Sequence, residues 1–221
     1  MLRSLTLCVI TDPKLAPGRD HVGIAKAALA GGADMIQLRD KAGDLRELLP
    51  QARAIQALCR SQGAIFIVND RLDLALAAGA DGVHVGQEDL PAEAARRLLP
   101  PGRILGVSTH TPEQAEAARL GGADYIGFGP MFPSGTKDTG YTPRGLEGLR
   151  GVRAAICLPI LAIGGITLDT VEGVIAAGAT APAVISAILA APDIAAAAAA
   201  FRERVAAARA RAGASRGSKV A

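Results

Sequence analysis

Asp70 and Asp89 sit in two short polar stretches, Asn69-Asp70-Arg71 and Gly86-Gln87-Glu88-Asp89, each directly after an apolar run. Hard oxygen donors without an HxH pair or a cysteine cluster suit Mg2+, which keeps several waters and completes its shell with substrate phosphates. Each aspartate has a second reading. Asp70 could cap a helix starting near Arg71, and Asp89 one starting at Pro91. Arg39 and Lys41, within Gln37-Leu38-Arg39-Asp40-Lys41, and Lys137 add three cations. Together they suffice to hold a diphosphate beside the metal and to stabilise it as a leaving group; taken singly they also fit a solvated rim.

A second anion pattern lies near the end of the chain, in Ile163-Gly164-Gly165-Ile166 before Thr167 and in Ile185-Ser186. Glycine lets backbone N–H groups approach a phosphate closely, although Gly164-Gly165 would serve equally as a tight turn. Residues 129–143, GPMFPSGTKDTGYTP, form the longest candidate loop, in which Ser134, Gly135 and Thr136 offer hydroxyl and N–H donors. Long loops of this kind are often binding loops or lids, and the alternative is a surface excursion. The histidines say less. His84 alternates with Val83 and Val85 and reads as a satisfied interior histidine, while His21 and His110 fall at helix starts. No Ser-His-Asp or Cys-His set stands out, which ranks hydrolysis through a covalent nucleophile low. Two anion sites, one with a metal, suit the joining of a diphosphate-bearing electrophile to a phosphate-bearing nucleophile.

Such residues need a frame that gathers them. Short β-branched runs (Leu5–Thr11, Met35–Arg39, Ala64–Asn69, Gly82–Val85, Ile104–Ser108, Tyr125–Phe128, Ile160–Ile163 and Ala183–Ser186) alternate with Ala/Leu-rich segments of helical length. That pattern predicts parallel strands joined by helices. Eight of them suit a closed (β/α)8 barrel (a TIM barrel) of about 200–250 residues. A repeat supports the count. Ala30-Gly-Gly-Ala-Asp34, Ala78-Gly-Ala-Asp81, Gly121-Gly-Ala-Asp124 and Ala177-Gly-Ala-Thr180 recur at spacings of 47, 43 and 56 residues. Each interval holds two strand–helix units, with Gly as the left-handed helix stop. A doubly wound open sheet is the weaker alternative, because no GxGxxG follows the first strand. In a barrel, the candidate residues above all fall at strand C-termini or in the loops that follow, and so face one pocket.

The 221 residues, 50% hydrophobic and 20% charged, match one domain with a large core, expected over 1–212. Six Lys/Arg against Glu203 fall in residues 202–221, so the overall charge of +3 belongs to the end of the chain and the body is slightly acidic. A basic nucleic-acid face is not implied, and with no Trp, two Tyr and four Phe there is little to stack bases. Residues 213–221 have no apolar periodicity and read as a disordered basic tail. The opening run Leu2–Ile10 is too short to span a membrane and runs on without a small-residue cleavage site. Three cysteines, with no CxxC, suggest reduced thiols and a cytoplasmic setting.

Taken in order, VITD, QLRDK, ND, DGVHVGQED, GVST, GFGPMFPSGTK, AIGGI and AVISAI resemble the loops of the thiamine-phosphate synthase family, over about residues 6–190. The resemblance implies transfer of a hydroxymethylpyrimidine group from its diphosphate to the ring nitrogen of a thiazole phosphate, giving thiamine phosphate and diphosphate. It implies a dissociative step in which the diphosphate leaves first. By the same resemblance Gln37, Leu38, Arg39, Asp40, Lys41 and Asn69 hold the pyrimidine diphosphate, and Asp70 and Asp89 bind Mg2+. Ser108 and Lys137 contact that substrate, and Lys137 assists departure of the diphosphate. Ser134, Gly135 and Thr136, with Gly165, Ile185 and Ser186, hold the thiazole phosphate. Partners are thus small molecules, with neither nucleic acid nor membrane, and the oligomeric state is not legible. Two departures stand out: Pro133-Ser-Gly-Thr-Lys137 where the family has PTxTK, and Thr180-Ala-Pro-Ala183 where it has Asp-Gly-Val-Ala. The related thiazole tautomerase is the nearest rival, yet an isomerase has no diphosphate to hold with Asp70, Asp89 and Lys137. A phosphate-sensing barrel would need no metal pair. A phosphosugar isomerase would need an acid–base pair, and none stands out.

Overall fold

Eight parallel strands close into a barrel in sequence order, β1 pairing with both β2 and β8. They are β1 (Cys8–Thr11), β2 (Met35–Leu38), β3 (Ile65–Asn69), β4 (Gly82–Val85), β5 (Ile104–Thr109), β6 (Tyr125–Phe128), β7 (Ile160–Ile163) and β8 (Ala181–Val184). The helices around them are α1 (His21–Ala30), α2 (Leu45–Gln62), α3 (Leu72–Ala78), α4 (Ala92–Leu98), α5 (Pro112–Leu120), α6 (Gly145–Ala155), α7 (Val171–Ala176), α8 (Ser186–Leu189) and α9 (Ile194–Gly217). The structure, a computed structural model, describes residues 2–133 and 140–217, the side chains of 213–217 excepted. This is the (β/α)8 barrel read from the alternation of runs.

Strand periodicity sorts side chains into two layers. On β2, Met35 and Gln37 point into the barrel while Ile36 and Leu38 pack under the helices; on β3, Ile65 and Ile67 point in and Phe66 and Val68 out. The outer layer joins strands to helices as one apolar cluster, and a smaller interior cluster of Leu5, Cys8, Ile10, Met35, Ile65, Ile67, Tyr125 and Leu161 fills the lower barrel. Gly106 and Gly127 make room inside: a Cβ on Gly106 would lie 2.2 Å from the Tyr125 ring, and one on Gly127 3.0 Å from His84.

The glycine-rich repeats do more than stop helices. Gly32, Gly79, Gly122 and Gly178 take positive φ, as their helix-stop role requires. The polar residue that follows each one then locks the bottom of the preceding strand. Asp34 accepts from Leu7 N (3.0 Å) and Thr6 N (2.8 Å), Asp81 from Phe66 N (2.8 Å), and Asp124 from Leu105 N (2.8 Å). Thr180 Oγ1 does the same for Ile160 N at 3.0 Å, so the Thr of the fourth copy keeps the acceptor and loses only the charge. Each lock is reciprocal, since the backbone N–H of Asp34, Asp81, Asp124 and Thr180 donates to the carbonyl of Leu7, Phe66, Leu105 and Ile160.

Three boundaries differ from the expected ones by more than one residue, the first being β1, which starts at Cys8 rather than Leu5. Strand β8 covers Ala181–Val184 rather than 183–186. Pro182, which brings no N–H, sits opposite Ala162 of β7, while pairing with β1 starts only at Ala183. Ile185 then leaves extended geometry and Ser186 opens α8. At the C-terminus α9 runs to Gly217, past the expected boundary at 212. Its start is held by Asp193, which accepts from Ala195 N and Ala196 N. Ile194, Ala198, Phe201, Val205 and Ala208 form its buried stripe against α1 and α7. Gly31 allows the approach, since a Cβ there would meet the Ala195 carbonyl at 2.2 Å. Among the described residues no helix is long and apolar enough to cross a membrane.

Candidate active site

The C-terminal ends of the strands surround a cavity of about 390 Å3. Gln37, Arg39, Lys41, Asn69, Asp70, Asp89, Ser108 and Ile185 line it, so eight of the residues expected to act meet in one place. Their convergence follows from strand parity, because Gln37, Asn69, His84 and Ser108 occupy inward positions at the upper ends of four consecutive strands.

Asp70 and Asp89 face each other. Asp70 is the only non-glycine residue with positive φ (63°) among those described, and its backbone N–H donates to the His84 carbonyl at 2.7 Å. That turn brings its carboxyl within hydrogen-bond reach of Asp89. Asp89 is aimed by the loop it belongs to, its Oδ2 accepting from Gly86 N at 2.7 Å. Burial, and then the adjacent Asp89 carboxylate, push the Asp70 carboxyl up to about 6, against the pull of Lys41 and Arg39. Lys41 Nζ is 4.0 Å from Asp70 Oδ2. The capping alternative finds no support: the N-cap positions of α3 and α4 are Arg71 and Pro91, and neither helix has a side-chain cap bond. No group of three or more His, Cys, Asp or Glu suited to a metal gathers among the described residues. The Asp70 and Asp89 carboxylates are hard oxygen donors of the kind that fits an ion sharing its shell with water and phosphate.

The floor is a buried polar chain. His84 Nε2 lies 2.9 Å from Ser108 Oγ and Nδ1 3.0 Å from the Tyr125 hydroxyl, which in turn meets the Gln37 side chain. Both ring nitrogens of His84 are occupied, as its interior reading requires. Burial lowers its pKa to about 4, outweighing the opposite pull of Asp89, so the ring is neutral at pH 7. At the mouth, Gln87 Nε2 donates to the Ser108 carbonyl (2.6 Å). The rings of His110 and Tyr141 stack at 3.7 Å, with the Arg144 guanidinium over Tyr141.

Other expected residues fall elsewhere. Leu38 points away from the cavity into the outer core, as its parity on β2 demands. Asp40 does not line the cavity; its Oδ1 accepts from Ala42 N (2.9 Å) and Gly43 N (2.8 Å) and shapes the loop instead. Gly165 (φ 65°) packs beneath the Phe132 and Pro133 carbonyls, where a Cβ would come within 2.8 Å of either oxygen. With Met131 N bonded to Ile163 O and Phe132 N to Gly164 O, this turn anchors the loop after β6. Ser186 is the first residue of α8. Ser134, Gly135, Thr136 and Lys137 lie outside the described residues. Tyr125 and Tyr141 were missed. Tyr125 was detectable from its inward parity on β6, whereas Tyr141 carried no signal beyond its place in the long loop.

Known proteins are similar to this chain in sequence and fold. Residues 7–188 match the family model described as thiamine monophosphate synthase. The thiamine-phosphate synthase of Moorella thermoacetica is 54% identical over 203 residues, covering 92% of this chain and 97% of that protein. That of Methanoculleus marisnigri is 51% identical over 204 residues, with the same coverage of each. Among solved structures, a thiamine phosphate pyrophosphorylase from Pyrococcus furiosus superimposes with a TM-score of 0.87 at 40% identity, over 94% of this chain and 99% of that one. With a family match spanning most of the barrel and relatives above half identity along nearly the whole length, the chain belongs to the thiamine monophosphate synthase family.

Proposed function

We propose that the cavity joins a pyrimidine diphosphate to a thiazole phosphate, acting as a thiamine-phosphate synthase with Mg2+. The bond from the pyrimidine methylene carbon to the diphosphate oxygen breaks, and its electron pair leaves with the diphosphate. The thiazole nitrogen lone pair then forms the new C–N bond to the resulting cation, giving thiamine phosphate and diphosphate. The observation that carries this reading is the contact of Asp70 with Asp89 in the cavity that also presents Arg39 and Lys41. Two carboxylates and two cations around one opening match a magnesium–diphosphate pair.

Asp70 and Asp89 would hold the ion, which when bound offsets the negative charge that gathers on the departing diphosphate. Arg39 and Lys41 bind and orient that diphosphate, and Lys137 gives a further cation to it as it leaves. Gln37, Asn69 and Ser108 position the pyrimidine above the neutral His84 floor. Ser134, Gly135 and Thr136, with Gly165, Ile185 and Ser186, receive the thiazole phosphate, Gly165 by fixing the backbone there and Ile185 from the cavity wall. The three cysteines among the described residues are free and two of them are buried, which supports a reducing, cytoplasmic setting. The test is product formation by purified protein with both substrates and Mg2+. Thiamine phosphate and diphosphate formed in equal amounts, and lost on chelation, is the expected result; turnover insensitive to a chelator would remove the magnesium assignment.

A further inference from the structure

Behind Arg39, outside the cavity, runs a buried polar chain that the transfer chemistry leaves unexplained. His21, at the start of α1, is 2% exposed and carries polar partners on both ring nitrogens. Its Nδ1 is 2.6 Å from Thr11 Oγ1 at the end of β1, and its Nε2 is 3.4 Å from Asp40 Oδ2 in the loop after β2. Thr11 is fully buried, and its Oγ1 accepts from the Arg39 backbone N–H at 3.4 Å. Asp40 holds Ala42 N and Gly43 N through its other oxygen. Gly43 is pressed against that carboxylate so closely that a Cβ would stand 2.9 Å from Asp40 Oδ2. Burial works to raise the Asp40 carboxyl, but the two backbone N–H groups and His21 outweigh it and hold the group below the usual carboxylate range, hence ionised. The other side of His21 is pinned as well, since its backbone N–H donates to Gln51 Oε1 of α2 at 3.3 Å.

In the His21 Nε2–H tautomer these contacts run in one direction: the Arg39 N–H donates to Thr11 Oγ1, the Thr11 hydroxyl donates to His21 Nδ1, and the His21 Nε2–H donates to the Asp40 carboxylate, so each donor meets one acceptor. The chain starts at the backbone of one cation of the cavity and ends one residue before the other, Lys41. A buried polar group is costly unless all its bonds are made, and an apolar side chain of equal volume would fill the space under α1 at less cost. What the apolar side chain would not do is fix the loop.

We infer that His21, with Thr11 and Asp40, is a positioning residue that sets Arg39 and Lys41 toward the diphosphate. The inference rests on the assignment of the diphosphate to those two cations. His21 touches no substrate; it acts by holding the Gln37–Gly43 segment in one conformation, so that binding a diphosphate does not also have to order its receptors.

The test compares wild type with His21→Phe, Thr11→Val and Arg39→Ala, measuring calorimetric binding of inorganic diphosphate with Mg2+ and KM for each substrate. Thr11→Val is nearly isosteric and covers the case in which His21→Phe fails to fold. The expected result is that His21→Phe and Thr11→Val each weaken diphosphate binding about tenfold, the order usual for loss of an outer-layer partner. The KM for the pyrimidine diphosphate should rise by a similar factor, and that for the thiazole phosphate should stay within about twofold. If Arg39→Ala weakens diphosphate binding but Thr11→Val and a folded His21→Phe do not, the relay is wrong and the diphosphate assignment stands. If both KM values rise alike along with a fall in Tm, His21 is only a core residue. If Arg39→Ala itself leaves diphosphate binding unchanged, the diphosphate assignment fails first. Nitrogen-15 NMR of the His21 ring reads the direction of the chain: an Nε2–H tautomer is expected, and an Nδ1–H tautomer would overturn it.

Discussion

The Asp70 carboxyl lies against that of Asp89, and burial with this like-charged neighbour raises it to about 6. A raised carboxyl favours the fold at low pH, and that contribution is lost as pH rises from the unfolded value near 3.8 through about 6. At pH 7 the pair therefore opposes folding. Asp70→Asn removes the repulsion, and Asn is at home at the positive φ of this position. We expect turnover to fall strongly while Tm at pH 7 rises by roughly 3 °C, corresponding to about 1 kcal/mol. Scanning calorimetry at pH 7 and pH 4.5 checks the sign, since the gain should shrink to roughly a third at pH 4.5 and vanish only below about pH 3.8.

His84 titrates the other way. Its folded value of about 4 lies below the unfolded 6.5, so the stability of the neutral ring is complete above pH 6.5 and is lost as pH falls toward 4. Across that window the loss is roughly 3 kcal/mol. Urea unfolding of wild type and His84→Gln at several pH values should show a shallower acid slope in the variant. Equal slopes would mean that His84 is charged in the fold.

The bottom locks should affect persistence without affecting chemistry. Asp81→Ala strands the Phe66 N–H under the barrel and should cost about 1–3 kcal/mol. Turnover per folded molecule should stay at the wild-type level, as read by activity against active-site titration after urea challenge.

Arg209 of α9 donates to the carbonyls of Ser4, Leu5 and Thr180, clasping the base where β1 and β8 meet. Arg209→Ala should lower stability by about 2 kcal/mol. Deletion of residues 213–221 removes none of these bonds, so turnover should be unchanged. A large loss on deletion would give that segment a part in the pocket.

Lys137 is assigned by resemblance alone. Lys137→Ala should reduce the single-turnover rate more than it weakens substrate binding, by about 3–4 kcal/mol of transition-state stabilisation, because charge on the diphosphate grows as the bond breaks. Calorimetry with the thiazole phosphate should show nearly unchanged affinity. Abolished thiazole phosphate binding with an unaltered single-turnover rate would move Lys137 to the other anion site.

Much of this was legible because a barrel strand has only two faces. The alternation of runs and the GAD repeats gave strand number and order, and parity then sent Asn69, Ser108 and Arg39 to one pocket. Parity also explains why Leu38, in a motif whose neighbours Gln37 and Arg39 line the cavity, points the opposite way. Asp40 stands between two cations, but its carboxylate is taken up by the loop it closes. That Asp70 and Asp89 come together was expected from their places after neighbouring strands; the His21 bonds were not legible, since they join side chains from different elements and depend on distances that spacing along the chain does not contain. At β8 pairing with β7 already starts at Ala181 and includes Pro182, so the strand begins and ends two residues before the expected positions.

Strands of four to six residues separate the four polar locks at the base from the cavity at the top. At about 3.3 Å per residue that is a span over which substitutions usually add without coupling. Selection for a new substrate can therefore rewrite the upper rim while selection for persistence works on the lower one. A lineage built this way can drift in chemistry without drifting in architecture, and a laboratory seeking altered substrates should leave the lower ring untouched and randomise only the upper loops.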